Sequence, residues 1–585
     1  MKSMRWIPWL AACLLWALPR IAQGATYYVS PTGSDNDAGS EALPFASIAK
    51  AQTVVSAGDT VYFKGGTYAF SKGTTACASQ TASISGIELS KSGSAGKLIK
   101  YWAAPGEKPV FDFDGIRDSC RIRGFYVSGS YIHLKGFEIK GVRQNNNLNH
   151  ESWGVWIKGG GNNVFEQLDM HNNMGPGLFI QGGGNNLVKN CDSHDNFDEM
   201  TSNGAGESAD GFGCHVAAAD TGNLFTGNRA WWNTDDGYDF INADAACTVE
   251  HSWAWLNGYK PGTMTAIGNG NGFKSGGYGT DVTQIPATPA KHTTRFCLAF
   301  KNRSAGFYAN HHPVSSFFYD NTSYSNNPNF NMLGINPSTG ADTTVGVYRN
   351  NVALGGTNFS NRSNADDANN AWSIAGITVS EADFQSVETT GLDAPRQADG
   401  SLPVLKNFHL ATGSDLIDKG TNVGLSFAGS APDLGAFETG VSEVGTSGGT
   451  TGSAGAVSGG GTGGANSNGG ATSGAGAGTA GNAGAASVAG AAGASTSMGG
   501  AGSVTAGAGS VNGGASSSAG SSSAGAATAN GGSGAAEPNG AADGCSCSTE
   551  RRGGPPRLPL AGLCLSLAAL ARRQWRRSTR VIAGK

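Results

Sequence analysis

Residues 159–196 read GGGNNVFEQLDMHNNMGPGLFIQGGGNNLVKNCDSHDN, a stretch that nearly repeats itself. Gly159-Gly160-Gly161-Asn162-Asn163 returns 23 residues later as Gly182-Gly183-Gly184-Asn185-Asn186. At the same shift His171-Asn172-Asn173 returns, loosely, as His194-Asp195-Asn196. Towards the C-terminus the theme continues as Ala230-Trp231-Trp232-Asn233, Ala254-Trp255-Leu256-Asn257, Ala299-Phe300-Lys301-Asn302 and Ser323-Tyr324-Ser325-Asn326. Each is a short β-like run that ends in Asn. A second mark follows it: Gly177-Leu178-Phe179, Gly211-Phe212-Gly213, Gly237-Tyr238-Asp239, Gly272-Phe273-Lys274 and Gly306-Phe307-Tyr308. The step from Asn to Gly is four residues at Asn173/Gly177, Asn233/Gly237 and Asn302/Gly306, but 15 at Asn196/Gly211 and Asn257/Gly272. Each turn of the chain thus carries one Asn corner and one Gly strand, and two turns hold a loop inserted at the same place.

Short strands, tight corners and this period describe the coils of a parallel β-helix. A propeller blade needs nearly twice the length. Corner asparagines stacked from coil to coil can hydrogen-bond as a ladder. A solenoid has raw strand edges at its ends that must be covered. Pro44 to Val55, preceded by Tyr27-Tyr28-Val29, reads as an amphipathic helix capping the first coil.

Around this array the composition is uneven. The 585 residues carry a net charge of −4, which gives no basic footprint for nucleic acid. Lys2 and Arg5, the apolar run Trp6–Leu18 and Ala22-Gln23-Gly24 form the three parts of a secretory leader. Between Glu443 and Glu537 there is no charged residue, only Gly, Ala, Ser, Thr, Asn and scattered Val and Met, as in a linker that cannot bury a core. Beyond it stand Cys545-Ser546-Cys547, an apolar run Leu558–Ala571 too short for a comfortable span, and Arg572, Arg573, Arg576 and Arg577. That layout resembles the tripartite sorting tail of myxobacterial surface proteins, which implies processing near the cysteines and attachment to the cell envelope. The expected division is a leader over 1–24, one β-helix over 25–440, a linker over 441–544 and a tail over 545–585. Export permits disulfides. The six Cys of the folded block (Cys77, Cys120, Cys191, Cys214, Cys247 and Cys297) show no zinc spacing and read as structural thiols or disulfides.

The register of the repeat gives the chemistry. With Gly211, Gly237 and Gly272 equivalent, the residues just before them are Asp210, Asp236 and Asn271, and those two after are Gly213, Asp239 and Lys274. Equivalent positions on neighbouring coils lie about 4.8 Å apart with side chains pointing the same way. Asp210 should therefore stack beside Asp236, and Asp239 beside Lys274 on the solenoid's surface, with Asp235 one residue upstream. Four carboxylates this close repel one another unless a cation neutralises them. Clustered hard oxygens of flexible geometry suit Ca²⁺.

The segments Ala209-Asp210-Gly211-Phe212, Asp235-Asp236-Gly237-Tyr238-Asp239 and Gly268-Asn269-Gly270-Asn271-Gly272-Phe273-Lys274 resemble those of polysaccharide lyase family 9. The likeness runs from Tyr27-Tyr28-Val29-Ser30 to Asp433-Leu434-Gly435-Ala436-Phe437-Glu438. It implies a right-handed parallel β-helix, a secreted pectate lyase, Asp210, Asp235, Asp236 and Asp239 as Ca²⁺ ligands, and Lys274 as the Brønsted base. The expected reaction is β-elimination on polygalacturonate by a monomer. The inserted loops, about 197–207 and 258–267, stand where they could wall a cleft, and Asn271, Asn310 and His311 are candidate sugar contacts. Two rivals stay open on the residues alone. A β-helix hydrolase needs paired carboxylates for an acid and an activated water, and a non-catalytic polysaccharide-binding stalk would suit the surface tail.

Overall fold

The computed structural model describes residues 24–441, apart from 80–81, 146–151, 201–203, 280–281 and 361–365. The expected leader, linker and sorting tail thus lie outside the described residues, save for residues 24 and 441 at their edges. Among the described residues no helix is long and apolar enough to cross a membrane.

Three long sheets run side by side along one solenoid, with 11, 10 and 10 strands, and every neighbouring pair within them is parallel. One coil shows the path: Leu187–Lys189 lies in the first sheet, Asp192–His194 in another and Phe212–Cys214 in the third, before the chain returns to the first at Asn223–Thr226. The chain is therefore an all-β parallel β-helix, as the period requires.

The two sequence marks have separable physical causes. The residue before each corner Asn, from Asn172 and Asp195 through Trp232, Leu256, Lys301 and Ser325, holds a left-handed backbone with φ between 47° and 54°. Bulky side chains rarely accept that conformation, and here the corner Asn over-determines it. Asn173, Asn196, Asn233, Asn257, Asn302 and Asn326 are buried, and each Nδ2 donates to the Oδ1 of the next at 2.8–3.1 Å. A second ladder, Asn321–Asn351–Asn370, follows the same rule at another corner, with both steps 2.9 Å. The glycine mark is a matter of close approach. A Cβ on Gly211, Gly237 or Gly272 would stand 2.6 Å from the carbonyl oxygen of the glycine on the next coil. Removing the side chain lets the strand enter tightly behind the ladder.

Inside the solenoid Phe212, Tyr238, Phe273, Phe307 and Phe330 stack with ring centroids 4.7–5.1 Å apart. Each such contact contributes about 0.5–1.5 kcal/mol beyond the area it buries. Their strand neighbours point outward, so this core fixes the register of the outer face. The N-terminal helix is shorter than the sequence suggests, spanning Ile48–Val54 with Ser47 as its N-cap. Phe45 instead bridges Val29, exchanging backbone hydrogen bonds of 2.9 Å with Tyr28 and Ser30. At the other end, residues beyond 366 lay Leu392, Phe408, Leu410, Leu416 and Leu434 against Trp231, Trp253, Trp255 and Phe300 on the outer face of a sheet. Arg396 ties this segment to Asp192 at 2.7 Å. All six cysteines of the described block are free thiols.

Candidate active site

The outer face of the 10-stranded sheet that holds Phe212–Cys214 pairs Gly213 with Asp239, Asp239 with Lys274, and Lys274 with Tyr308. The register inferred from Asn and Gly spacing is thus the register of the sheet. Asp210, Asp236 and Asn271 form a row of their own just before it. Asp210 Oδ1 accepts the Asp236 N–H at 3.1 Å, Asp236 Oδ1 accepts the Asn271 N–H at 2.7 Å, and Asn271 Oδ1 accepts the Ala305 N–H at 3.2 Å. Each side chain here does for its coil what the corner asparagines do for theirs.

Lys274 joins the two rows. Its Nζ lies 3.1 Å from Asp236 Oδ2 and 3.2 Å from Asp239 Oδ2. Asp239 Oδ1 in turn accepts the Ile241 N–H at 2.8 Å. The lysine is not a surface group, as the strand pattern suggests, for its side chain is only 4 % exposed. Gly206 and Ile267 touch across the two loops, and Gly268, with φ +64°, sits against the carbonyls of Thr234 and Gly206 where no Cβ fits.

Burial sets the electrostatics. It pushes the Asp210 and Asp235 carboxyls well above the ordinary range, and repulsion among the cluster's acids adds to it. Asp236 is raised for the same first reason, against the pull of Lys274. Such acids call for positive charge, and one lysine does not match four of them. Asp210, Asp236 and Asp239 each place a carboxylate oxygen within 4.8 Å of the other two. Asp236 Oδ2 is buried and accepts no hydrogen bond among the described residues, its contact with Lys274 being an ion pair out of alignment. Three converging carboxylates with an unsatisfied oxygen fit a hard divalent cation. Asp235 stands beside this trio rather than within it, and its Oδ1 accepts the Asn269 N–H at 3.2 Å.

A cavity of about 210 Å³ opens next to Lys274, and Asn271, Asn310 and His311 line it as well. The structure therefore brings all three candidate sugar contacts to the lysine. Their freedom differs. Asn271 spends its amide on Asp236 and Ala305, and Asn310 Nδ2 donates to the Gly276 carbonyl at 2.9 Å. Tyr308, Ser304 and Asn327 also line the cavity and were missed in the sequence. Tyr308 could have been found, because it is the register equivalent of Lys274 one coil on. His215, buried with Nε2 3.9 Å from Asp239 Oδ2, carries no comparable signal.

The fold and this cluster of one lysine among buried aspartates do not by themselves name an activity, and comparison with known proteins supplies the class. Residues 27–364 match the family model described as the Pel9A-like, right-handed β-helix region. Pectate lyase L of Dickeya chrysanthemi is 36 % identical over 420 residues, covering 70 % of this chain and 90 % of that protein. Pectate lyase L of Paenibacillus polymyxa is 32 % identical, covering 58 % and 73 %. Among solved structures, pectate lyase Pel9A superposes with TM-score 0.58 at 33 % identity over 72 % of this chain and 97 % of that one. A rhamnogalacturonan lyase does so with TM-score 0.63 at 37 % identity over 67 % and 98 %. The chain belongs to the Pel9A-like β-helix family of pectate lyases, and it is a polysaccharide lyase. The hydrolase and the non-catalytic stalk fall away.

Proposed function

We propose that the protein cleaves polygalacturonate by β-elimination, with Lys274 as the base beside a Ca²⁺ site. The observation that carries the reading is the Lys274 ammonium set between Asp236 and Asp239 at the edge of a polar cavity. Asp210, Asp236 and Asp239 would hold the ion, with Asp235 adjoining. Bound there, calcium supplies Lewis-acid stabilisation of the negative charge that grows on a uronate carboxylate.

The remaining chemistry belongs to the chain. In a uronate the C5 proton lies α to the carboxylate, and Lys274 Nζ takes it as the free amine. The C5–H electron pair becomes the C4–C5 double bond, the C4–O bond breaks, and the departing oxygen takes a proton from solvent. No water enters the products. Two carboxylates within 3.2 Å favour the ammonium form, so turnover rises towards alkaline pH. Tyr308 Oη and His311 Nδ1, 3.5 Å apart on the cavity wall, present polar groups to sugar hydroxyls.

The pectate lyases among the relatives support polygalacturonate. The rhamnogalacturonan lyase among the structural neighbours supports a second reading, elimination on the galacturonate units of rhamnogalacturonan. Export by the leader and display through the sorting tail belong to the same proposal. Ultraviolet absorbance of the unsaturated uronate, followed on each polymer with Ca²⁺ and with EGTA, tests it. Signal on polygalacturonate that EGTA removes and Ca²⁺ restores better than Mg²⁺ is expected. Full activity in excess EGTA would refute the metal assignment.

A further inference from the structure

The outward row that contains Asp239 and Lys274 does not begin there. On the preceding coils the same sheet pairs Tyr126 with Trp156, Trp156 with Phe179, and Phe179 with Gly213. Three aromatic side chains thus lead along one face into the active site. Trp153 stacks on Trp156 with centroids 4.4 Å apart, and Trp153, Trp156 and Phe179 form a cluster separate from the core. Cations lie on it: Arg121 is 4.3 Å from the Trp153 ring centre, Arg123 4.1 Å from that of Tyr126, and Lys158 4.8 Å from that of Trp156.

Their placement has a chemical meaning. A polyuronate carries a carboxylate on every sugar, and an ion held by the aspartates would match only those at the catalytic end of the row. Counter-charge must come from elsewhere on the groove. Arg123 is short of partners. Glu88 stands 3.6 Å away, beyond hydrogen-bond reach, and Arg123 Nε is buried without an acceptor among the described residues. The indole N–H of Trp156 is buried without one as well. Part-exposed cations held against aromatic rings suit a ligand rich in anionic oxygens.

We propose that Arg121, Arg123, Tyr126, Trp156 and Lys158 form a distal subsite that binds the carboxylates of an acidic polysaccharide whose scissile bond lies at Lys274. Trp156 is three strand spacings from Asp239, about 14 Å, so a bound chain bridges several sugars between the two places. The subsite rests on the reading of the substrate as a polyuronate, and it makes the enzyme sensitive to chain length.

The test is the double variant Arg123→Gln/Lys158→Gln, which keeps bulk and polarity but removes charge. Its KM for long polygalacturonate should rise roughly tenfold with kcat nearly unchanged, the worth of about one charge-assisted contact. For oligogalacturonates too short to reach from Lys274 to Trp156, KM should move by less than about twofold. An equal rise at all lengths, or none on the polymer, overturns the subsite. Binding is read separately by migration in native gels containing polygalacturonate. Wild type slowed by the polymer and the double variant running freely support the subsite; both slowed alike, or neither slowed, overturn it. The gel needs no turnover, so a failure to release unsaturated uronate would strike the catalytic reading without deciding the subsite.

Discussion

Replacing Lys274 with Ala should damage the fold as well as the chemistry, and the size of that damage is legible in the site. The side chains of Lys274, Asp236 and Asp239 are 4 %, 0 % and 5 % exposed, with ion-pair distances of 3.1 and 3.2 Å. Removing one partner of a buried pair costs about 3–5 kcal/mol, because the other charge is left without compensation. The aspartates have one escape, which is to take up protons. Their folded-state affinity for protons is already raised by burial, and loss of the ammonium raises it further. The folded state then binds more protons than the unfolded one, so stability falls as pH rises through the folded-state pKa values. Urea unfolding of Lys274→Ala in excess EGTA should show a deficit of about 3 kcal/mol in alkaline buffer that shrinks in acid. Added Ca²⁺ should close most of the gap, while elimination activity stays lost throughout. A variant as stable as wild type in alkaline EGTA would show that the lysine does not neutralise these acids.

Other outcomes follow from the scaffold. Asn257→Ala removes one rung whose amide bonds both Asn302 and the Ala230 carbonyl; a loss of about 2–3 kcal/mol in chemical denaturation is expected, for buried partners left unsatisfied. Asp320 is buried, its carboxyl pushed up to about 7 by that burial, and its Oδ2 has no hydrogen-bond partner among the described residues. Because its folded pKa lies above the unfolded value, stability falls as pH rises from about 4 to about 7 and stays low above that. Asp320→Asn should remove this slope and stabilise the protein at pH above about 7 by on the order of 2 kcal/mol, read as a Tm series against pH. Truncation after Glu443 should release an active enzyme into the medium; an inactive or insoluble product would mean that the boundary is misplaced.

Much of the site was legible because it is written in the repeat. Gly237 and Gly272 are glycines for a steric reason, the carbonyl of the next coil, and they therefore count coils reliably through two insertions. That is why the pairing of Asp239 with Lys274 could be read from spacing alone. What spacing does not carry is depth. Nothing in the strand pattern says that Lys274 is buried, or that Gly206 and Ile267, one in each inserted loop, meet. Asp235 was read one residue upstream of the row, and it stands there beside the carboxylate trio. The aromatics Tyr126, Trp156 and Phe179 carry no signal of their own in the sequence, because hydrophobicity does not tell an inward strand position from an outward one that cations cover. The packing of residues beyond 366 on the tryptophan face was likewise invisible, having no period of its own.

The central claim is that the glycosidic bond is broken without water. Digestion of polygalacturonate in water enriched in heavy oxygen, with products weighed by mass spectrometry, tests it most directly. The account predicts no label in the new ends, each product with a new non-reducing end being an unsaturated uronate lighter than a hydrolytic one by a water. One heavy oxygen gained per cleavage would contradict it.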